Sequence, residues 1–125
     1  MPGVIQPAES QEPRGHYSHG MRVGDLVFVS GQLPMDAAGI PQSGLPIEAQ
    51  VDLALTNLDT VLRAAGTTRD RVVKVNVYIT DIALWDRVNS RYALFFGTHR
   101  PARAIIPVGP LHFGCGIEID AVAEC

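Results

Sequence analysis

Arg103 lies inside Pro101-Ala102-Arg103-Ala104-Ile105-Ile106-Pro107-Val108, a short apolar strand with one guanidinium set among small and aliphatic residues. An arginine left unpaired there costs several kcal/mol, so the fold has to supply an anion. A structural carboxylate meets that need, and so does a bound ligand. A planar guanidinium donates two parallel hydrogen bonds to a carboxylate, which makes Arg103 a candidate clamp for a small acid. Glu118 is the second candidate, and its plainer role is to pair with Arg103 from a neighbouring strand. Tyr17, Ser30 and Asn89 complete the set of isolated polar residues. Two of them have structural accounts as well: Tyr17 as a core aromatic with its hydroxyl satisfied, Asn89 as a cap or brace of a helix.

Other chemistries find less support. His16, His19, His99 and His112 are not at metal-ligand spacing with cysteines or carboxylates, so no metal is expected. Ser30-Gly31 lacks the nucleophile-elbow pattern, and no histidine stands where it would activate the hydroxyl. Neither Cys115 nor Cys125 has a cation nearby in sequence to lower its pKa. Gly109, Gly114 and Gly116 do not follow a dinucleotide-binding spacing, so no cofactor is expected either.

The elements that must position these residues are legible from periodicity. Residues 1–15 hold three prolines and read as an extended, partly mobile arm. Tyr17–Val23 and Leu26–Gly31 flank Gly24-Asp25 as a hairpin, and the second run is continuously apolar, as in a strand covered on both faces. It ends at Ser30-Gly31, where a hydroxyl meets unhindered backbone. Residues 33–46 are rich in Pro and Gly and predict a long loop, a rim over a pocket. The spacing of Val51, Leu55, Leu58 and Leu62 predicts a helix over 47–65, with Pro46 in its first turn and Gly66 as its stop.

Val73, Val75, Val77 and Ile79 alternate with Lys74, Asn76 and Tyr78, a strand with one drier face. Asp81 caps a second helix to about Phe96, with Ile82, Trp85, Val88, Tyr92 and Phe95 inward. After the Arg103 strand and a Gly-rich turn, Ile117–Ala123 is a strand that points Glu118 and Asp120 to one face. Each strand–helix–strand step is expected to be a right-handed crossover, with both helices on one face of a mixed sheet. The other face then needs a cover, which a homo-oligomer supplies.

Length and charge bound the rest. A chain of 125 residues fits one domain, 1–125, and 46% hydrophobic residues supply a real core. A net charge of -3 offers nucleic acid no basic footprint, which also speaks against a ribonuclease. No signal peptide and no window of membrane-spanning length is evident, and two late cysteines fit free thiols in the cytoplasm.

Several stretches taken together resemble one family. They are Gly15-His16-Tyr17-Ser18, Val27-Phe28-Val29-Ser30-Gly31-Gln32-Leu33-Pro34, Val88-Asn89, Pro101-Ala102-Arg103 and Ile117-Glu118-Ile119, in this order. The chain is identified by them as similar to the RidA family (YjgF/YER057c/UK114), the reactive-intermediate imine deaminases. The resemblance implies an α+β, chorismate-mutase-like fold, a homotrimer, and pockets in the clefts between subunits. It implies hydrolysis of 2-imino or enamine acids, such as 2-aminoacrylate, to 2-keto acids and ammonia. Carried over residue by residue, it makes Arg103 the carboxylate binder and Glu118 the group that places water. Tyr17, Ser30 and Asn89 fall at pocket positions, and backbone groups of Gly31 and Ile105 are placed to orient the imine nitrogen or the water. Two further readings stay open: a pathway-specific aminomuconate- or aminoacrylate-type deaminase, and a non-enzymatic member that holds small carboxylates or protein partners. His16 stands where the family often has proline, His112 follows Leu111 where Leu-Pro is common, and Ile105 replaces a frequent cysteine. These departures bear on substrate range more than on chemistry.

Overall fold

The computed structural model describes residues 2–125. Six strands form one mixed sheet: β1 (Gly3–Ile5), β2 (Gly20–Val23), β3 (Leu26–Gln32), β4 (Val72–Ile79), β5 (Ala102–Pro107) and β6 (Ile117–Glu124). Their spatial order is β1-β2-β3-β6-β4-β5. Only the β4–β5 pair is parallel, and β6 returns to the centre to lie antiparallel to both β3 and β4. Two helices, α1 (Ile47–Ala64) and α2 (Trp85–Phe96), join β3 to β4 and β4 to β5. Both contribute to one core against the sheet, where Leu55, Leu58, Leu62, Val88, Tyr92 and Phe96 meet Val75, Val77, Ile117 and Ile119.

The helices sit where the apolar spacing placed them, with shifts at their ends. Pro46 is the residue before α1 and not part of its first turn. Gly66 adopts φ +82°, a left-handed stop that a side chain would strain, while Thr67 N–H reaches back to the Leu62 carbonyl at 3.0 Å. Asp81 caps a short 3-10 turn, Ile82–Leu84, by accepting from Ala83 N–H at 2.9 Å; α2 starts after it. Ile82 and Trp85 are therefore exposed, and Phe96 takes the buried place expected of Phe95, which is only partly covered.

Four strand readings need correction, the last of them the cover expected on both faces of β3. The first fifteen residues are not simply an arm: Gly3–Ile5 pairs antiparallel with β2 and buries Ile5. The first hairpin strand begins at Gly20, since Tyr17 to His19 form a loop before it. In β4 a register shift between Val72 and Lys74 puts Val72 in the core and leaves Val73 exposed, because a bulge inverts the alternation on one side of it.

β3 is covered on one face only. Val27 and Val29 are buried beneath the helices, whereas Phe28 between them is 44% exposed. Met21, Val23 and Leu26 share this open face with Phe28, since Met21 pairs with Phe28 and Val23 with Leu26. Further along the same face Asp120 accepts from Asn76 at 2.9 Å and from the Tyr78 hydroxyl at 2.8 Å. The open face is thus apolar at one end and polar at the other.

Leu58 is fully buried at the centre of α1, and Leu94 is 71% exposed on α2. Leu58→Ala is expected to cost about 2–5 kcal/mol and Leu94→Ala no more than about 0.5 kcal/mol. Urea unfolding of both variants at one protein concentration checks this, and equal losses would mean that the core is misassigned.

Candidate active site

Arg103 is placed by strand register. β5 forms an edge of the sheet, and Arg103 lies beside Val75, which points into the helix-covered core. On that face α2 presents Trp85, Asn89 and Tyr92, spaced i, i+4 and i+7 along one side of the helix. Arg103 Nη1 donates to Asn89 Oδ1 at 2.8 Å. The guanidinium carbon lies 4.8 Å from the ring centre of Tyr92 and 5.5 Å from that of Trp85, within cation–π range of both. Among the described residues no carboxylate forms an ion pair with it. Burial pushes the Tyr92 hydroxyl up to about 12 against the opposing pull of Arg103, and that hydroxyl has no hydrogen-bond partner. An open cavity of about 530 Å³ borders Arg103, Asn89, Tyr92 and Trp85.

Glu118 is placed by the alternation of β6. Ile117 and Ile119 are buried under the helices, so Glu118 projects from the open face, across from Tyr78. β3 carries a bulge at this level: Val29 pairs with Ala121 and Gln32 with Ile119, so Ser30 and Gly31 together face Asp120. A β-carbon on Gly31 would lie 2.9 Å from Glu118 Cδ and closer still to Oε2, so only glycine lets the carboxyl group rest against this backbone. Burial first, and then the negative charge of Asp120, push the Glu118 carboxyl above its ordinary value, while His112 pulls it back.

Ser30 ties the bulge to the loop before β2. Its hydroxyl donates to the Ser18 carbonyl at 2.6 Å and its N–H to the His19 carbonyl at 2.9 Å. Tyr17, in the same loop, is 53% exposed and is not the core aromatic that was its plainer account. Its ring lies edge-on to His19, whose Nε2 hydrogen-bonds to the Gln11 carbonyl at 2.8 Å.

The candidate residues therefore fall into two groups in one chain. Tyr17, Ser30, Gly31 and Glu118 gather at the β3 bulge. Arg103 and Asn89 gather on the other face, with Ile105 beside buried Val77 on the same edge strand. β4 separates the groups, and Glu118 does not pair with Arg103. Trp85 and Tyr92 were expected only as inward-facing core; their spacing with Asn89 carried the signal that the three share a side.

Chemically, one group offers a cation with no carboxylate partner and the other a carboxyl group whose proton affinity burial and Asp120 raise. Among the described residues no three His, Cys, Asp or Glu side chains gather closely enough to hold a metal ion. Cys115 is buried, which raises its thiol pKa and keeps it from acting as a thiolate. No helix among these residues is long and apolar enough to cross a membrane.

Comparison with known proteins bears on this geometry. The family model described as Endoribonuclease L-PSP matches residues 8–125. A RutC family protein of Sinorhizobium fredii is 45% identical over 123 residues, covering 95% of this chain and 97% of its own. The 2-iminobutanoate/2-iminopropanoate deaminase of Bos taurus is 37% identical over 122 residues, with 96% and 88% covered. Among solved structures, E. coli TdcF with bound serine superposes with a TM-score of 0.90 at 30% identity, over 98% of each chain. The E. coli YjgF gene product gives 0.89 at 30% identity, again over 98% of each. With its six-stranded mixed sheet, two helices on one face and a match from residue 8 to its end, the chain belongs to the RidA (YjgF, L-PSP) family.

Proposed function

We propose that this protein hydrolyses reactive 2-imino and enamine acids of the 2-aminoacrylate type to 2-keto acids and ammonia, as a cytoplasmic homotrimer. The observation that carries this reading is the guanidinium of Arg103, oriented by Asn89 and two aromatic faces and left without a carboxylate of its own. A small 2-imino acid supplies that carboxylate and docks by two parallel hydrogen bonds. The deaminase named among the relatives supports the chemistry, and a serine-bound relative supports a small amino-acid-like ligand.

An imine carbon is already electrophilic, so the site has mainly to hold substrate and water in line. As water adds to the C=N carbon, Glu118 takes one of its protons and passes it to the imine nitrogen, giving a carbinolamine and returning Glu118 to its charged form. The C–N bond then breaks with its electron pair on nitrogen, the hydroxyl proton is relayed to that nitrogen, and ammonia leaves behind a C=O group. Backbone groups of Gly31 and Ile105 orient the water or the nitrogen, and Tyr17 and Ser30 line the opposite wall.

The two groups of residues lie on opposite faces of one sheet, so we assign each site to two chains. Arg103 comes from one copy, and Glu118 comes from the next. The apolar end of the open face, at Met21, Val23, Leu26 and Phe28, provides the surface that a neighbour covers. Contacts between unlike surfaces close into a ring, as in a trimer.

Arg103→Ala is expected to lower kcat/KM for ammonia release about a hundredfold or more while leaving the oligomer intact. Mixing unfolded Arg103→Ala and Glu118→Gln chains and refolding them together should restore activity at about a quarter of sites. No recovery in the mixture, with trimers formed, would place both groups in one chain. A chain that binds keto acids through Arg103 but releases no ammonia from freshly generated imines would be a carboxylate binder.

Gly31→Ala is expected to push Glu118 aside and lower turnover with little loss of fold, as circular dichroism beside the rate assay would show. Glu118 works as a base in its charged form, so activity should rise with pH through its raised pKa. Asp120→Asn removes a like charge and should move that acidic limb to lower pH. His112→Ala removes a helpful one and should move it higher. A limb that ignores both changes would belong to another group.

A further inference from the structure

Between Leu111 and Cys115 the chain turns through Phe113 at φ 61° and Gly114 at φ 74°. A left-handed phenylalanine is strained by about 1–2 kcal/mol, and such strain persists only where surrounding structure holds it. Here it sets the Phe113 ring, 39% exposed, away from the core. His112 stacks on that ring at 3.8 Å with the planes 10° apart. The guanidinium of Arg14 lies 5.5 Å from the ring centre and also donates to the Gly39 carbonyl.

These residues wall a cavity of about 260 Å³ that Leu33 and Met35 also line and that Tyr17 and Gly31 join to the site. We propose, resting on the deaminase reading above, that this cavity is the side-chain pocket of the site and selects a 2-imino acid bearing an aromatic ring. A 2-aminoacrylate-type substrate extends only one carbon past its Cα and leaves the space to water. By contrast, a cavity of about 150 Å³ lined by aliphatic and aromatic groups already holds benzene. Phe113 and Tyr17 offer ring contacts, and the Met35 thioether suits a ring edge. A second carboxylate on the substrate is disfavoured, because Glu12 lines the same cavity and Arg14 is committed to Phe113 and Gly39.

The test pairs turnover with binding. Imines are generated in situ by a D-amino-acid oxidase from D-phenylalanine and D-alanine, and calorimetry compares phenylpyruvate, pyruvate and oxaloacetate. The phenyl substrate should lead by about tenfold in kcat/KM, and phenylpyruvate should bind about tenfold more tightly than pyruvate. Phe113→Gly removes the ring while relieving the left-handed strain, so it should fold and bring both ratios towards one. Equal or better use of the alanine-derived imine, or an equal loss for both ligands in Phe113→Gly, would overturn the pocket and leave the deaminase reading standing. Tightest binding by oxaloacetate would likewise overturn it in favour of a second anionic group. Phenylpyruvate binding that depends on Phe113, with neither imine consumed, would keep the pocket and overturn the deaminase reading.

Discussion

A guanidinium without a carboxylate governs this molecule. Arg103 is held by a single amide oxygen and by the negative faces of two rings, which steady its direction without neutralising its charge. Had an aspartate stood where Asn89 stands, the pair would be satisfied internally and the strand would have no use for a ligand. The un-ionised Tyr92 contributes a ring face and no competing charge. The edge position of β5 matters equally, because it leaves Arg103 beside an open cavity at the margin of the helix layer.

The second constraint is the two-residue period of a strand. Glu118 alternates with Ile117 and Ile119, and those isoleucines are committed to the core, so the carboxyl group must face away from the helices. Arg103 follows Val75 to the helix side. No side-chain rotation removes that separation across β4, so within one chain the two groups stay apart. The bulge at Ser30-Gly31 then gives Glu118 a bare backbone to lie against. Burying a carboxyl group beside Asp120 raises its pKa and works against stability once the group ionises.

Around this shared framework the loops set individuality. The His112-Phe113 turn, the Arg14 guanidinium and the 33–41 loop approach Gly31 from outside the sheet, so they can vary without moving Glu118 or Arg103. His112 was singled out by its departure from the family pattern, and the structure puts it both against Phe113 and within electrostatic reach of Glu118. The proposed pocket and the proton affinity of Glu118 thereby share one residue.

Periodicity alone determined the two helices, the alternation of β6 and the face on which Glu118 lies, because helix and strand periods are local properties of neighbouring residues. The quoted motifs likewise carried the family. The bulge that exposes Val73, the β1 pairing of Gly3–Ile5 and the placement of Phe96 were not legible, since each depends on a partner distant in sequence. The same holds for the site. Residue types nominated Arg103 and Glu118, and even suggested that they pair. Only the insertion of β6 between β3 and β4, with β5 beyond, put them on opposite faces, because strand order is decided by which apolar surfaces can be buried together.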